Sequence, residues 1–190
     1  MKAITISGLP GTGTSTLATR LKELLQTPLV NSGQLFRELA AEHDMPLLEF
    51  GEFVKSHPEI DKELDARQVE FARKGDIILE GRLAGWNLYL AGVESLRILI
   101  KAPLEVRAER VTERDHMEKE ALQVAIRKRE EIDAARYLKV YGIDLFSQEP
   151  YHLIIDNGGQ SVEETMAAIL QGLKEHIPGL KVLDLGGELK

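Results

Sequence analysis

The 190-residue sequence contains no cysteine. That absence excludes disulfides, thiolate metal sites and a cysteine nucleophile together, and it is compatible with a reducing compartment. No segment approaches the roughly 18 consecutive apolar residues needed to span a bilayer. The opening Met1–Gly13 runs straight into a short apolar strand, without the apolar region of a signal peptide. The expected location is therefore the cytoplasm. Positive charge is not in surplus either: 24 Lys and Arg stand against 31 Asp and Glu, a net charge of -7. General attraction to a nucleic-acid polymer or to an anionic membrane is not expected, so any anionic ligand must be held by locally grouped cations. His43, His57, His116, His152 and His176 are scattered, with no i, i+4 pair to suggest zinc. Internal repeats, low-complexity tracts and linkers rich in Gly, Ser or Pro are also missing.

What is present is an ordinary globular balance, 43% hydrophobic and 29% charged, in a chain long enough to bury an α/β core as one domain spanning 1–190. Five short apolar runs stand out: Ala3–Ser7, Pro28–Asn31, Asp76–Glu80, Leu96–Lys101 and Tyr151–Asp156. Runs of that length alternating with helical stretches predict buried parallel strands, hence a layered α/β fold with a five-stranded parallel sheet flanked by helices. Leu17, Leu21, Leu24 and Leu25 line one helical face after the first strand. Ser56 with Glu59, and Ser161 with Glu164, have capping-box spacing, and Pro103 suits a first helical turn. Two longer excursions, about 32–74 and about 115–148, are charged and helix-patterned, which predicts ordered flaps.

Gly8-Leu9-Pro10-Gly11-Thr12-Gly13-Thr14-Ser15-Thr16 follows the first strand and opens the first helix. Glycines let such a loop wrap closely enough for backbone N–H groups to meet phosphate oxygens, and the helix N-terminus adds its positive dipole end. This predicts an ATP-binding loop, with Ser15 in the hydroxyl position that meets Mg²⁺. In the full phosphate-loop pattern G-x-x-x-x-G-K-[ST], however, a lysine stands where this chain has Thr14. The competing reading is a glycine-rich turn that binds nothing.

Arginines supply the cations that the loop lacks. Arg107, Arg110 and Arg114 share one helical face after the fourth strand, and Arg129, Asp133 and Arg136 likewise share a face in the second excursion. Arg37 follows the second strand, and Glu80-Gly81-Arg82 closes the third. The planar guanidinium pairs two-pronged with phosphate oxygens and keeps its charge. The alternative is a solvated, salt-bridged surface served by Glu109, Glu113, Glu130 and Glu131. Glu80 either holds a water on Mg²⁺ or caps a strand end.

Taken in order, Ser32-Gly33 with Arg37, Glu80-Gly81-Arg82, the Arg107/Arg110 helix and Arg129-Glu-Glu-Ile-Asp133-Ala-Ala-Arg136 resemble cytidylate kinases of the nucleoside monophosphate kinase group. The stretches from Glu80 to Trp86 and from Ala102 to Arg110, with Arg136-Tyr137 and Tyr141-Gly-Ile-Asp144, resemble the archaeal type, and the likeness runs from about Ile4 to Asp156. It implies a phosphate-loop kinase fold, an NMP-binding segment at about 32–74 and a LID at about 115–145. It further implies ATP with Mg²⁺ as phosphoryl donor and CMP, with dCMP, as acceptor. CMP would be held by Ser32, Arg37, Arg82, Arg129, Asp133 and Arg136, while Arg107 and Arg110 face ATP. In the expected mechanism Arg82 orients the acceptor phosphate and LID closure brings Arg129 and Arg136 over the transferring group. Bacterial members carry Asp after the Gly-Arg pair, where this chain has Leu83, and archaeal-type members tolerate Thr at position 14. Trp86 either touches the acceptor or fills core. The tail Leu180–Leu185 is either an edge strand or a dimer contact in an otherwise monomeric protein.

Overall fold

The computed structural model describes residues 3–115 and 119–182. Five strands, β1 (Ala3–Gly8), β2 (Leu29–Asn31), β3 (Ile78–Glu80), β4 (Ser95–Lys101) and β5 (Leu153–Asp156), form one parallel sheet in the order β2-β3-β1-β4-β5. All five lie within two residues of the runs read from sequence. The helices are α1 (Thr14–Leu25), α2 (Ser32–Glu42), α3 (Leu47–Val54), α4 (Pro58–Lys74), α5 (Ala84–Leu90), α6 (Leu104–Asp115), α7 (Lys119–Tyr141) and α8 (Val162–His176).

Strand alternation sorts the core into two layers. Ile4, Ile6 and Ile78 point to the face covered by α1 and α8, where they meet Leu17, Leu21, Ile169 and Leu173. Ala3 and Leu79 point to the other face, against Ala72 of α4 and Ala84 and Leu88 of α5. Each fully buried Leu or Ile stabilises this packing by about 1.5–3 kcal/mol relative to exposure. Because α1 leaves β1 on one face and α5 leaves β3 on the other, a crevice opens at the carboxyl ends of these neighbouring strands. This is the place where open α/β sheets bind ligands.

The two excursions flank that crevice. The first holds α2, α3 and α4, with its own small core around Phe36, Phe50 and Val54. The second holds α7, whose first half packs Leu122 and Ile126 on Ala108 and Val111 of α6. Its second half puts Tyr137 against Leu83, Trp86 and Ile143, so Trp86 is core rather than an acceptor contact. Ser161 and Glu164 form the predicted capping box. Ser56 and Glu59 do not: α4 starts at Pro58 behind an uncapped His57, and the Ser56 hydroxyl donates to the Phe53 carbonyl (2.9 Å). Proline at the first helical position fixes that start. Leu180 and Val182 pack on the main core, and the rest of the tail read as a strand or dimer contact lies outside the described residues.

Gly85 sets the distance between α5 and β1. Its N–H donates to the Ser7 hydroxyl (3.1 Å), and a Cβ at this position would stand 2.4 Å from Cε1 of Tyr151. Overpacking of this kind costs about 1–3 kcal/mol. Gly85→Ala is expected to lower the melting temperature by roughly 2–12 °C in a thermal scan; an unchanged midpoint would show that the tyrosine ring yields freely.

Candidate active site

The loop after β1 takes its shape from two glycines with positive φ, Gly11 (86°) and Gly13 (85°). Gly11 also has no room for a side chain, since a Cβ would lie 2.7 Å from the Arg107 carbonyl oxygen. The loop is fastened from behind through its carbonyls. Arg107 donates to Pro10 O (3.1 Å), Arg110 and Asn157 donate to Thr12 O (3.5 and 3.0 Å), and the Thr12 hydroxyl closes on Leu9 O (2.8 Å). Gly13 caps α1 without a side chain, so the first N–H groups of the helix keep their free valences and the positive end of the dipole for an anion. All nine residues from Gly8 to Thr16 line a cleft of about 740 Å³.

Arg107 does not face that cleft. Its guanidinium is buried between the Ala102 and Pro10 carbonyls and an ion pair with Glu130 of α7, which makes it a brace between α6, the loop and α7 rather than an ATP contact. Arg110 does line the cleft and is fixed by Asn157 through the Oδ1 (3.0 Å) and carbonyl (2.8 Å) oxygens. The side chain of Arg114 lies outside the described residues.

Thr14 turns toward β3, where its hydroxyl donates to Oε1 of Glu80 at 2.5 Å. Ser15 also hydrogen-bonds to Glu80, and Asn31 donates to the Ser15 hydroxyl (3.3 Å). Burial raises the Glu80 carboxyl above its ordinary 4.5, against the pull of Thr14, Ser15, Arg82 and Arg37. A serine hydroxyl and a carboxylate beside a phosphate-binding loop are the hard oxygen donors Mg²⁺ takes, with waters and phosphates completing its octahedron. The residues present therefore fit the ion, which Ser15 would hold directly and Glu80 through water.

Across the cleft lie the acceptor-side residues. The Ser32 hydroxyl donates to Glu80 O (3.0 Å), and Arg37 is exposed at the mouth. Arg82 pairs with Asp133 (2.7 Å), and Arg136 pairs with both Asp133 (3.1 Å) and Asp61 (3.0 Å). Arg136 is 1% exposed, and its guanidinium lies 4.8 Å from the ring centres of Phe36 and Tyr137. The structure thus sets Arg136 among α2, α4 and α7, at the insert, rather than over the phosphate loop. Burial, helped by Asp65 and Asp133 and opposed by Arg136, pushes Asp61 up to about 6.

Arg129, one helical turn before Asp133, faces the same cleft and has no carboxylate within ion-pair distance among the described residues. Burial, then the neighbouring Arg82, lowers its pKa to about 10, with Asp133 opposing and Arg37 adding to the repulsion. It stays cationic at neutral pH, with that repulsion only partly relieved by Asp133. An anion placed there relieves it.

Sequence reasoning missed the partners of these arginines. Asp61, Asp65 and Gln68 of α4 line the cleft at i, i+4 and i+7, the spacing that marked Arg129, Asp133 and Arg136 on α7. That spacing was the available signal. Asn87 and Asn157 carried none.

Replacing Thr14 by valine deletes the hydroxyl that lowers the Glu80 pKa, so Glu80 rises further. The penalty, about 1–3 kcal/mol for a buried carboxylate missing a donor, is full only above the raised Glu80 pKa of the variant. It shrinks as pH falls toward 4.5 and Glu80 takes a proton. Urea unfolding of Thr14→Val and the parent at pH 8 and pH 5 checks this; an equal difference at both would contradict it.

Comparison with known proteins agrees with this geometry. The cytidylate kinase-like family matches residues 3–159. Cytidylate kinase of Methanocaldococcus jannaschii is 45% identical over 161 residues, 84% of this chain and 90% of the relative. That of Methanopyrus kandleri is 42% identical over 173 residues, 87% and 90% of the two chains. Among solved structures, shikimate kinase from Acinetobacter baumannii (TM-score 0.59, 16% identity, 94% of this chain and 96% of that one) shares the fold. So does a gluconokinase from Sinorhizobium meliloti (0.59, 16%, 92% and 93%). With the loop, the arginines and the intervening helices in place along the length matched, the chain belongs to the cytidylate kinase-like family.

Proposed function

We propose that the protein transfers the γ-phosphate of ATP to CMP, and to dCMP, giving ADP and the nucleoside diphosphate. The observation that carries this reading is the arginine group at the cleft. Arg37, Arg82 and Arg129 stand opposite a phosphate-binding loop, and Arg129 has no counter-ion among the described residues. That is the arrangement for two phosphorylated substrates meeting end to end. Within it, α2–α4 act as the NMP-binding segment and α7 as the LID.

In phosphoryl transfer, charge spreads over the equatorial oxygens of the moving group, so the protein contributes positioning and electrostatic stabilisation. Loop N–H groups and the α1 N-terminus hold the donor phosphates, with Arg110 on that side. When bound at Ser15 and, through water, Glu80, Mg²⁺ neutralises charge on the donor phosphates. Arg37 and Arg82 orient the acceptor phosphate for in-line attack, Arg82 being fixed by Asp133. The acceptor is already an anion and needs no general base. Arg129 meets the transferring group, and Arg136, held at the insert by Asp61 and Asp133, fixes the α7 segment that carries it. Closure of the first half of α7 over the cleft excludes water and limits wasteful hydrolysis.

No helix among the described residues is long and apolar enough to cross a membrane, which suits a cytoplasmic enzyme acting on small nucleotides. We place it there as a monomer.

Incubation with Mg-ATP and each of CMP, dCMP, UMP, AMP, GMP and shikimate, followed by ADP release, tests the assignment. CMP and dCMP are expected to lead; a preference for AMP or shikimate, or no acceptor-dependent ADP, would overturn it. Arg129→Ala and Arg136→Ala are each expected to lower kcat by about 10²–10³. Unchanged turnover in both would remove the α7 arginines from the mechanism.

A further inference from the structure

Asp65 sits where α4, α5 and α7 converge, and it accepts from all three. Its Oδ1 takes the Asn87 amide N–H (2.7 Å) and the Gln68 amide N–H (3.2 Å), and its Oδ2 takes the Tyr141 hydroxyl (2.5 Å). Gln68 Nε2 also reaches the Leu64 carbonyl (3.4 Å). A carboxylate and a carbonyl can only accept, so both amides must turn their NH₂ groups to Asp65 and hold their carbonyl oxygens away from it. Gln68, Asp65 and Asn87 all line the acceptor end of the cleft. Gln68 is 1% exposed, and its Oε1 is buried with no hydrogen-bond donor. A buried acceptor left in that state costs about 1–3 kcal/mol, and a ligand donor at the cleft would relieve it.

On the same wall, Nη1 of Arg136 is a buried donor without a hydrogen-bond partner. Acceptor and donor together complement a base edge that carries an exocyclic amino group beside ring acceptors. Cytosine has that edge, as does the larger adenine. Uracil and guanine present a carbonyl at the amino position and would set one acceptor against another.

Resting on the proposed kinase reading, we infer that Gln68 and Asn87, oriented by Asp65, read the exocyclic amino group of the acceptor base. Gln68 is the specificity contact, Asn87 extends the acceptor wall, and Asp65 is a positioning residue. Burial raises the Asp65 carboxyl above its ordinary value, against the pull of Tyr141, Asn87, Arg136 and Gln68.

The test compares kcat/KM for CMP, UMP and the 2-pyrimidinone ribonucleotide, which is CMP without its amino group, in the parent, Gln68→Met and Asp65→Asn. In the parent the pyrimidinone nucleotide is expected to be used about 10- to 100-fold less well than CMP. Gln68→Met should remove most of that gap. Asp65→Asn offers the amides a donor as well as an acceptor, frees them to turn, and should cut the CMP:UMP preference at least about tenfold. A purely structural role would lower all three substrates together and leave the ratios intact, which would overturn the inference. If either variant fails to fold, the parent still decides: pyrimidinone turnover within about twofold of CMP overturns it. Absence of CMP turnover by the parent overturns the kinase reading and this inference with it, whereas CMP turnover with unchanged ratios overturns the base reading alone.

Discussion

Arg136 lies between Asp61 and Asp133, buried on every side, and most of the site depends on that placement. The pairing joins α4 of the first excursion to α7 of the second, two segments separated in sequence by β3 and β4 and their helices. It also shares Asp133 with Arg82, so that the guanidinium at the end of β3 is aimed by a residue of α7. Removing any one member would leave an uncompensated buried charge, which typically costs about 3–5 kcal/mol. Two arginines and two aspartates balance inside this group. Arg37, Arg110 and Arg129 stand outside that balance and, set against Asp65 and Glu80, give the cleft its positive character in a chain that is negative as a whole.

The absence of a lysine in the phosphate loop acquires a physical setting. Thr14 is turned onto a buried glutamate, where a neutral hydroxyl satisfies Glu80 and leaves its carboxylate beside Ser15. The loop keeps the parts that depend on backbone, namely two left-handed glycines, a helix N-terminus without a side-chain cap, and carbonyls fastened by Arg107, Arg110 and Asn157. On the proposed reading its missing cation is met from α7, and the phosphate site is divided between a rigid loop that supplies dipoles and a helix that supplies charge.

The sheet was legible because parallel strands buried on both faces read as short apolar runs, and all five fall within two residues of those runs. The loop was legible because its glycines have a local cause. Arginine spacing identified which side chains share a face, but it could not say what each face meets. Arg107 and Arg136 show the difference: both belong to the predicted groups, yet one braces the loop from behind and the other is enclosed by the insert. Contacts between α4 and α7 depend on how two excursions pack, and no local pattern encodes that. Asp65, Gln68 and Asn87 escaped notice for the same reason, since single amides and carboxylates on a charged helix look like solvated surface until the fold encloses them. The helix start at Pro58 shows the converse, a strong local signal overriding a capping-box spacing at Ser56 and Glu59.

The central claim is that the unpaired Arg129 meets charge that develops during transfer rather than charge already present on bound substrate. Interactions confined to the transition state separate the binding of a transition-state analogue from that of substrate. The most direct measurement is the dissociation constant of the ADP–aluminium fluoride–CMP assembly beside that of CMP alone, for the parent and Arg129→Ala. The account predicts an analogue weakened about 100-fold or more with CMP affinity within about threefold. Equal weakening of both, or of neither, would contradict it.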